Sequence, residues 1–133
     1  MELSGKDIVR KYIEAINSHN IQAMRNLMTL DHTFIDAEGK EMKGREKILD
    51  GWPGYYDMFP DYKIKVESII EDGSIVAVFG STFATYNGRT GIKPENKICE
   101  PAAWKAVVKN QKLASWQVYT DYTRTWKVIN GKL

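Results

Sequence analysis

Ile8, Val9, Tyr12, Ile13 and Ile16 form an apolar stripe at helical spacing near the start of the chain. Ser4-Gly5-Lys6-Asp7 ahead of it has the form of a capping box, a hydroxyl followed three residues later by an acid. Asn17-Ser18-His19-Asn20 breaks the pattern. Asn20 is placed to cap a second helix whose buried face is Ile21, Met24, Leu27 and Met28. So short a connection favours antiparallel neighbours. His32-Thr33-Phe34-Ile35-Asp36 predicts a short strand ending at Glu38-Gly39. A third helix begins at Gly44-Arg45-Glu46-Lys47-Ile48-Leu49. It ends or kinks at Trp52-Pro53-Gly54, because proline disfavours helical geometry in the residue before it. Tyr55, Tyr56, Met58 and Phe59 crowd the segment that closes at Pro60-Asp61.

The second half changes to a period of two. Tyr62, Ile64, Val66, Ser68 and Ile70 share one face of a strand, with Lys63, Lys65 and Glu67 on the other. Asp72-Gly73 signals a hairpin. Ile75 to Tyr86 reads as a long strand, and Asn87-Gly88-Arg89-Thr90-Gly91 opens a loop running through Pro94. Ile98 to Val108 and Leu113 to Trp126 are two further strands joined by a tight turn at Asn110-Gln111. Three helices followed by four long antiparallel strands predict an α+β fold. The helices cover one face of a sheet that curls under its own twist, leaving a central pocket.

At 133 residues the chain suits one domain, spanning 1–133, with a core that needs no staples. Nineteen Lys and Arg against 17 Asp and Glu give a formal charge of +2, too balanced to predict nucleic acid or an anionic membrane as partner. Lys105, Lys109 and Lys112 read as solvated hairpin charges. The single cysteine, Cys99, excludes an internal disulfide and reads as a small strand residue. The first residues carry no apolar signal core, and no apolar run approaches membrane-spanning length, so the expected location is cytoplasmic. His19 and His32 form no metal-ligand cluster, and no metal or cofactor is expected.

Three stretches carry a resemblance: Tyr12-Ile13-Glu14, Asp31-His32-Thr33-Phe34-Ile35-Asp36, and Gly44-Arg45-Glu46-Lys47-Ile48. Their order and spacing resemble the cone-fold superfamily of nuclear transport factor two, ketosteroid isomerase and the SnoaL-like polyketide cyclases. Phe59-Pro60-Asp61, Asp72-Gly73 and Tyr119-Thr120-Asp121 are similar to SnoaL-like relatives. The resemblance covers nearly the whole chain and implies a cystatin-like cone. It also implies that Tyr12 matches the isomerase tyrosine that stabilises a developing oxyanion, and Asp36 the aspartate that moves the proton. That chemistry needs donors where charge develops and a carboxylate in a dry pocket. The chain departs from the pattern twice. Ala103 stands where isomerases carry a second acid, and Val118 where epoxide hydrolases and cyclases carry an Asp.

Each candidate has two readings. Asp36 is a general base or a strand-end residue preceding a turn. Tyr12 is an oxyanion donor or a core tyrosine, and His32, which shares strand parity with Phe34 and Asp36, is a proton shuttle or a hydrogen-bonded edge histidine. Trp52, Tyr55, Tyr56 and Phe59 form an aromatic lid over a flat ligand or the core beneath a kinked helix. The turn at Asn110-Gln111 pairs Ala103 with Val118 and Lys105 with Trp116. Ala103, Trp116, Val118 and Thr120 then face the pocket, while Trp104, Tyr119 and Asp121 face outward on a candidate dimer interface. Lys105 would point inward unless a bulge re-aims it, or else it pairs with a pocket carboxylate. The expected ligand is a small apolar or carbonyl-containing molecule lying against His32, Phe34, Trp52, Tyr55, Phe59, Ala103, Trp116, Val118 and Thr120. Three functions compete: a binding protein, a cofactor-free isomerase or cyclase, and an interaction module working through the outer sheet face.

Overall fold

The computed structural model describes residues 2–131. Helix α1 (Gly5–Asn17) starts at the capping box, where Ser4 Oγ accepts the Asp7 backbone N–H at 3.1 Å. Glu71 reinforces that end, its carboxylate oxygens accepting the N–H groups of Gly5 and Lys6 at 3.2 and 3.1 Å. Negative charge at a helix N-terminus is favourable. Helix α2 (Ile21–Leu27) is capped by Asn20, whose side chain accepts the Ala23 N–H at 3.0 Å. His19 makes the turn between them with φ 57° and stacks on Tyr56 at a centroid distance of 3.7 Å.

Strand β1 (Met28–Ile35) is longer than expected and is followed by a short exposed strand, β2 (Glu41–Lys43), that polar residues concealed. The single kinked third helix is in fact two helices, α3 (Arg45–Leu49) and α4 (Trp52–Met58). Pro53 falls in the first turn of α4, where a missing N–H costs no hydrogen bond, so it starts a helix as well as ending one. Strands β3 (Lys63–Asp72), β4 (Ile75–Gly88), β5 (Gly91–Lys109) and β6 (Lys112–Thr120) follow, then helix α5 (Thr123–Ile129). The segment from Asn87 to Pro94 is no loop: the β4–β5 hairpin continues through it, with Asn87 paired to Ile92. The last strand stops at Thr120. Asp121 Oδ1 accepts both the backbone N–H and the hydroxyl of Thr123, at 2.9 and 2.6 Å, and turns the chain into α5.

The six strands form one curved sheet in the order β2-β1-β6-β5-β4-β3, antiparallel except for β1 beside β6. The apolar stripe of α1 packs into its concave face against Val76, Val78, Trp104, Ala106 and Trp116. Asn17 fastens the end of α1 to β3, exchanging hydrogen bonds of 2.8 and 2.9 Å with the backbone of Ile64. A second, smaller cluster of Phe59, Ala84, Ile98 and Val128 sits towards the β4–β5 turn. Among the described residues no helix is long and apolar enough to cross a membrane.

Two bulges set which side chains face inward. In β3 the register shifts between Val66 and Ser68. Ile69 therefore packs on the core and Ile70 is exposed, reversing the parity that simple alternation gives. Gly80 of β4 meets this bulge, and a methyl group at that position would overlap the Lys65 carbonyl oxygen. The second bulge falls between Val107 and Val108 of β5 and skips Ala114 of β6. It moves Ala103 opposite Tyr119, Lys105 opposite Gln117 and Trp104 opposite Val118. Ala103 and Lys105 therefore lie on the outer face, and Trp104 is buried. This corrects the inward placement of Ala103 and the outward placement of Trp104.

His32 is fully buried. Its Nδ1 lies 2.8 Å from the Leu113 carbonyl, which can only accept, so Nδ1 carries the proton. Nε2 has no hydrogen-bond partner. Burial holds the imidazole below its ordinary value of 6.5, against the opposing effects of the Leu113 bond and Asp31.

Two outcomes follow from these contacts. Gly80→Ala should lower unfolding free energy in urea by about 1–3 kcal/mol, because the backbone must move to admit the methyl group. An unchanged midpoint would contradict the close approach. Since the folded-state pKa of His32 is depressed, protons favour the unfolded chain. Stability is full above pH 6.5 and declines below it, by at most about 1.4 kcal/mol per pH unit. His32→Asn keeps a donor for Leu113 and should flatten that slope between pH 6.5 and 5. A slope that persists unchanged would assign it to other groups.

Candidate functional site

Space remains inside the cone at the second cluster, not beneath Tyr12. Tyr12 is buried in the main core, its ring edge-on to Trp116 at 5.1 Å and tilted against His32 at 6.3 Å. Trp104 stacks on Trp116 at 6.1 Å, so side chains fill this region. Burial pushes the Tyr12 hydroxyl well above its ordinary value, with a further contribution from Tyr56. Asp36 is half-buried at the end of β1. Its Oδ1 accepts the backbone N–H groups of Glu38 and Lys40, both at 2.9 Å, which commits that oxygen to the turn before β2. Neither Tyr12 nor Asp36 lines the cavity.

The cavity itself holds about 30 Å³, roughly the room one water takes. Its wall combines Tyr55 and Phe59 of α4, Tyr62 at the start of β3, Thr82 and Ala84 of β4 and Ile98 and Glu100 of β5. Val118 and Thr120 of β6, with Tyr122 and Thr125 at α5, complete it. Tyr55 sits at the corner of three rings, edge-on to Tyr62 at 5.1 Å and tilted to Phe59 at 5.1 Å. Asp61 fixes the chain between Phe59 and Tyr62, accepting the Thr85 backbone N–H and hydroxyl at 2.6 and 2.7 Å. The Phe59-Pro60-Asp61 motif thus has a local reason: its acid ties α4 to β4.

Glu100 is the chemical centre of this wall. The pleat of β5 turns it inward with Ile98, Ala102 and Trp104, and it is only 6% exposed. Its Oε1 accepts the Thr125 hydroxyl at 2.8 Å. Burial, then the Glu100 charge and then Asp36, pushes the Tyr122 hydroxyl up to about 12. The Tyr55 hydroxyl is raised by burial first, then by Tyr122 and Glu100, and that of Tyr62 by burial and then Tyr55. All three phenols stay protonated near neutrality, and those of Tyr55 and Tyr122 feel the Glu100 charge.

Of the residues expected to touch a ligand, the cavity brings together Tyr55, Phe59, Val118 and Thr120. His32, Phe34, Trp52 and Trp116 belong to the packed core or its margin, and Ala103 lies outside it. Trp52 stacks on Tyr56 at 5.1 Å, and Tyr56 donates to the Ile16 carbonyl at 2.8 Å, so this half of the aromatic cluster anchors α4 to α1. Sequence reasoning missed Glu100. The available signal was its parity with Ile98 and Ala102 in β5, an acid on an apolar face. Tyr62 shared the strand face of Ile64 without being singled out, and Tyr122 carried no comparable signal. Among the described residues, no cluster of His, Cys, Asp and Glu is arranged to hold a metal ion.

Solved structures with this architecture include a protein with a ketosteroid isomerase-like fold from Catenulispora acidiphila in complex with trimethylamine. It is 21% identical, with a TM-score of 0.80 over 93% of this chain and 92% of that one. A protein described as a SnoaL-like polyketide cyclase from Shewanella denitrificans is 16% identical, with a TM-score of 0.82 over 96% and 97% of the two chains. A protein of unknown function from Burkholderia pseudomallei, similar to nuclear transport factor two, gives 13% and 0.82 over 96% and 98%. These likenesses establish the fold. Among curated proteins no sequence matches the chain. The family model of the SnoaL-like domain matches residues 9–132, and the chain belongs to that family.

Proposed function

We propose that this chain binds a small organic molecule between α4, α5 and the concave face of the sheet, with Glu100 as its polar anchor. The observation that carries the reading is a buried carboxylate facing a cavity whose walls are otherwise aromatic, aliphatic or hydroxylic. Such a wall with few convergent polar groups is the usual composition of a ligand site. The cavity as it stands admits about one water, so a larger guest requires movement. Helix α5 is the element suited to move. It spans seven residues, and Val128 is its one buried residue. The reading is supported by the Catenulispora acidiphila protein of the same fold, which is in complex with trimethylamine. It includes the cytoplasmic location expected from the sequence.

The cofactor-free isomerase or cyclase with Asp36 as base and Tyr12 as donor has less support. Asp36 Oδ1 is occupied by two backbone amides, and Tyr12 is enclosed by Trp116 and His32. A separate observation favours a second role for the outer face. Phe79, Phe83 and Tyr119 are 45%, 40% and 51% exposed on the convex side, with Ala103 between Phe79 and Tyr119 in the register. Exposed aromatics gathered on one sheet face suit a homodimer interface.

A fragment titration followed by protein NMR checks the binding proposal. Amide shifts should cluster at Tyr55, Glu100, Val118 and Thr125, and Val118→Phe, which fills the cavity, should abolish them. Shifts confined to the outer face, or none, would refute it. Sedimentation equilibrium checks the interface. The chain should be dimeric at tens of micromolar and Phe79→Glu monomeric, whereas a monomeric parent chain would remove the interface.

A further inference from the structure

Glu100 is the one charged residue among those lining the cavity. Among the described residues it makes no ion pair within 4 Å, and the hydrogen bond it accepts from Thr125 comes from an uncharged hydroxyl. A buried carboxylate without a positive partner is costly, and proteins that keep one generally pair it or give it a task. The surrounding rings cannot supply the charge. They can supply the next best surface for it. Tyr55 and Tyr62 meet at 85°, and Phe59 tilts against Tyr55 at 47°, so ring faces and edges form a corner beside the carboxylate. Aromatic faces attract cations through their quadrupole.

We infer that the ligand of this cavity carries a protonated amine, its ammonium group seated between the Glu100 carboxylate and the rings of Tyr55, Phe59 and Tyr62. The inference rests on the binding reading above and adds the ligand's charge to it. The size fits the head group: an ammonium is close to a water molecule in volume, and the cavity holds about 30 Å³. The remainder of the ligand leaves past α5, through Tyr122 and Thr125. There Glu100 also borders an outer groove with Cys99, Pro101, Asp121 and Thr123, whose basic residues Arg124 and Lys127 stand beyond ion-pair distance of its carboxylate. Arg124 donates to the Lys97 carbonyl at 3.1 Å. The chain's formal charge of +2 gives no general attraction for cations, so the preference is local to Glu100.

The test compares n-butylammonium, n-butanol and butyrate as probes of equal chain length, each titrated into the full chain at pH 7.5 and low salt with NMR readout. The ammonium should bind at least about tenfold more tightly than the alcohol, the scale of a hydrogen bond to a charged group, and butyrate should bind least. Glu100→Gln keeps an acceptor for the Thr125 hydroxyl. It should bring the ammonium to the affinity of the alcohol measured in the same variant. Equal affinity for ammonium and alcohol in the parent chain overturns the inference and leaves the binding reading standing. So does a preference that survives Glu100→Gln. Failure of every probe to shift the cavity residues overturns both. The comparison within the parent chain decides the matter even where the variant does not fold.

Discussion

The register between β5 and β6 is the constraint on which the interior depends. A strand has two faces, and a shift of one residue exchanges them. The bulge that skips Ala114 makes that shift, and everything beyond it along the hairpin is displaced by one position. As a result Trp104 and Val118 face inward together, Lys105 stays in water, and Ala102 sits opposite Thr120 on the concave side. Without the bulge a lysine would enter the core. With it, Glu100 joins a row of apolar residues, and its carboxylate becomes the polar feature of the cavity. The bulge in β3, answered by Gly80 in β4, does the same on the other side of the sheet and bends it around α1.

The architecture was legible because helices and strands announce themselves by period. The stripe from Ile8 to Ile16, the caps at Ser4 and Asn20 and the Asp72-Gly73 hairpin all lie where the pattern puts them. What was not legible falls into two physical kinds. Bulges leave no mark in an alternation, so the facing of Ala103, Trp104 and Ile70 could not be read from it. Side-chain capping decides chain ends that apolar runs overshoot, as when Asp121 halts β6 at Thr120 and redirects the chain into α5. The candidate site was half legible. Tyr55, Phe59, Val118 and Thr120, expected at the pocket, do line the cavity, whereas Glu100 was hidden by the plainness of one acid in a strand.

The consequence is a division of labour along the cone. Near the Asn110-Gln111 end, α1 and two stacked tryptophans form a packed core with a neutral, buried histidine. Towards the β4–β5 turn, tyrosines, threonines and one carboxylate enclose a small space. Asn17 and Asp61 are the ties at the two ends, Asn17 serving the backbone of Ile64 in the edge strand β3 and Asp61 the backbone N–H of Thr85 in β4, past the last β3–β4 pair. The proposed binding function is assigned to the second region, whereas the resemblance in the first half of the chain pointed to Tyr12 and Asp36. That is consistent with a fold whose members share a scaffold and differ in what they place on it.

The central claim is that the Glu100 side chain points into the cone among Tyr55, Tyr62 and Tyr122. Nuclear Overhauser contacts from the Glu100 methylene protons measure this most directly in solution. The account predicts contacts to ring protons of Tyr55 and Tyr122 and to the Thr125 methyl group, with none to Phe83. Contacts to Phe83 and the outer face in place of these would contradict it.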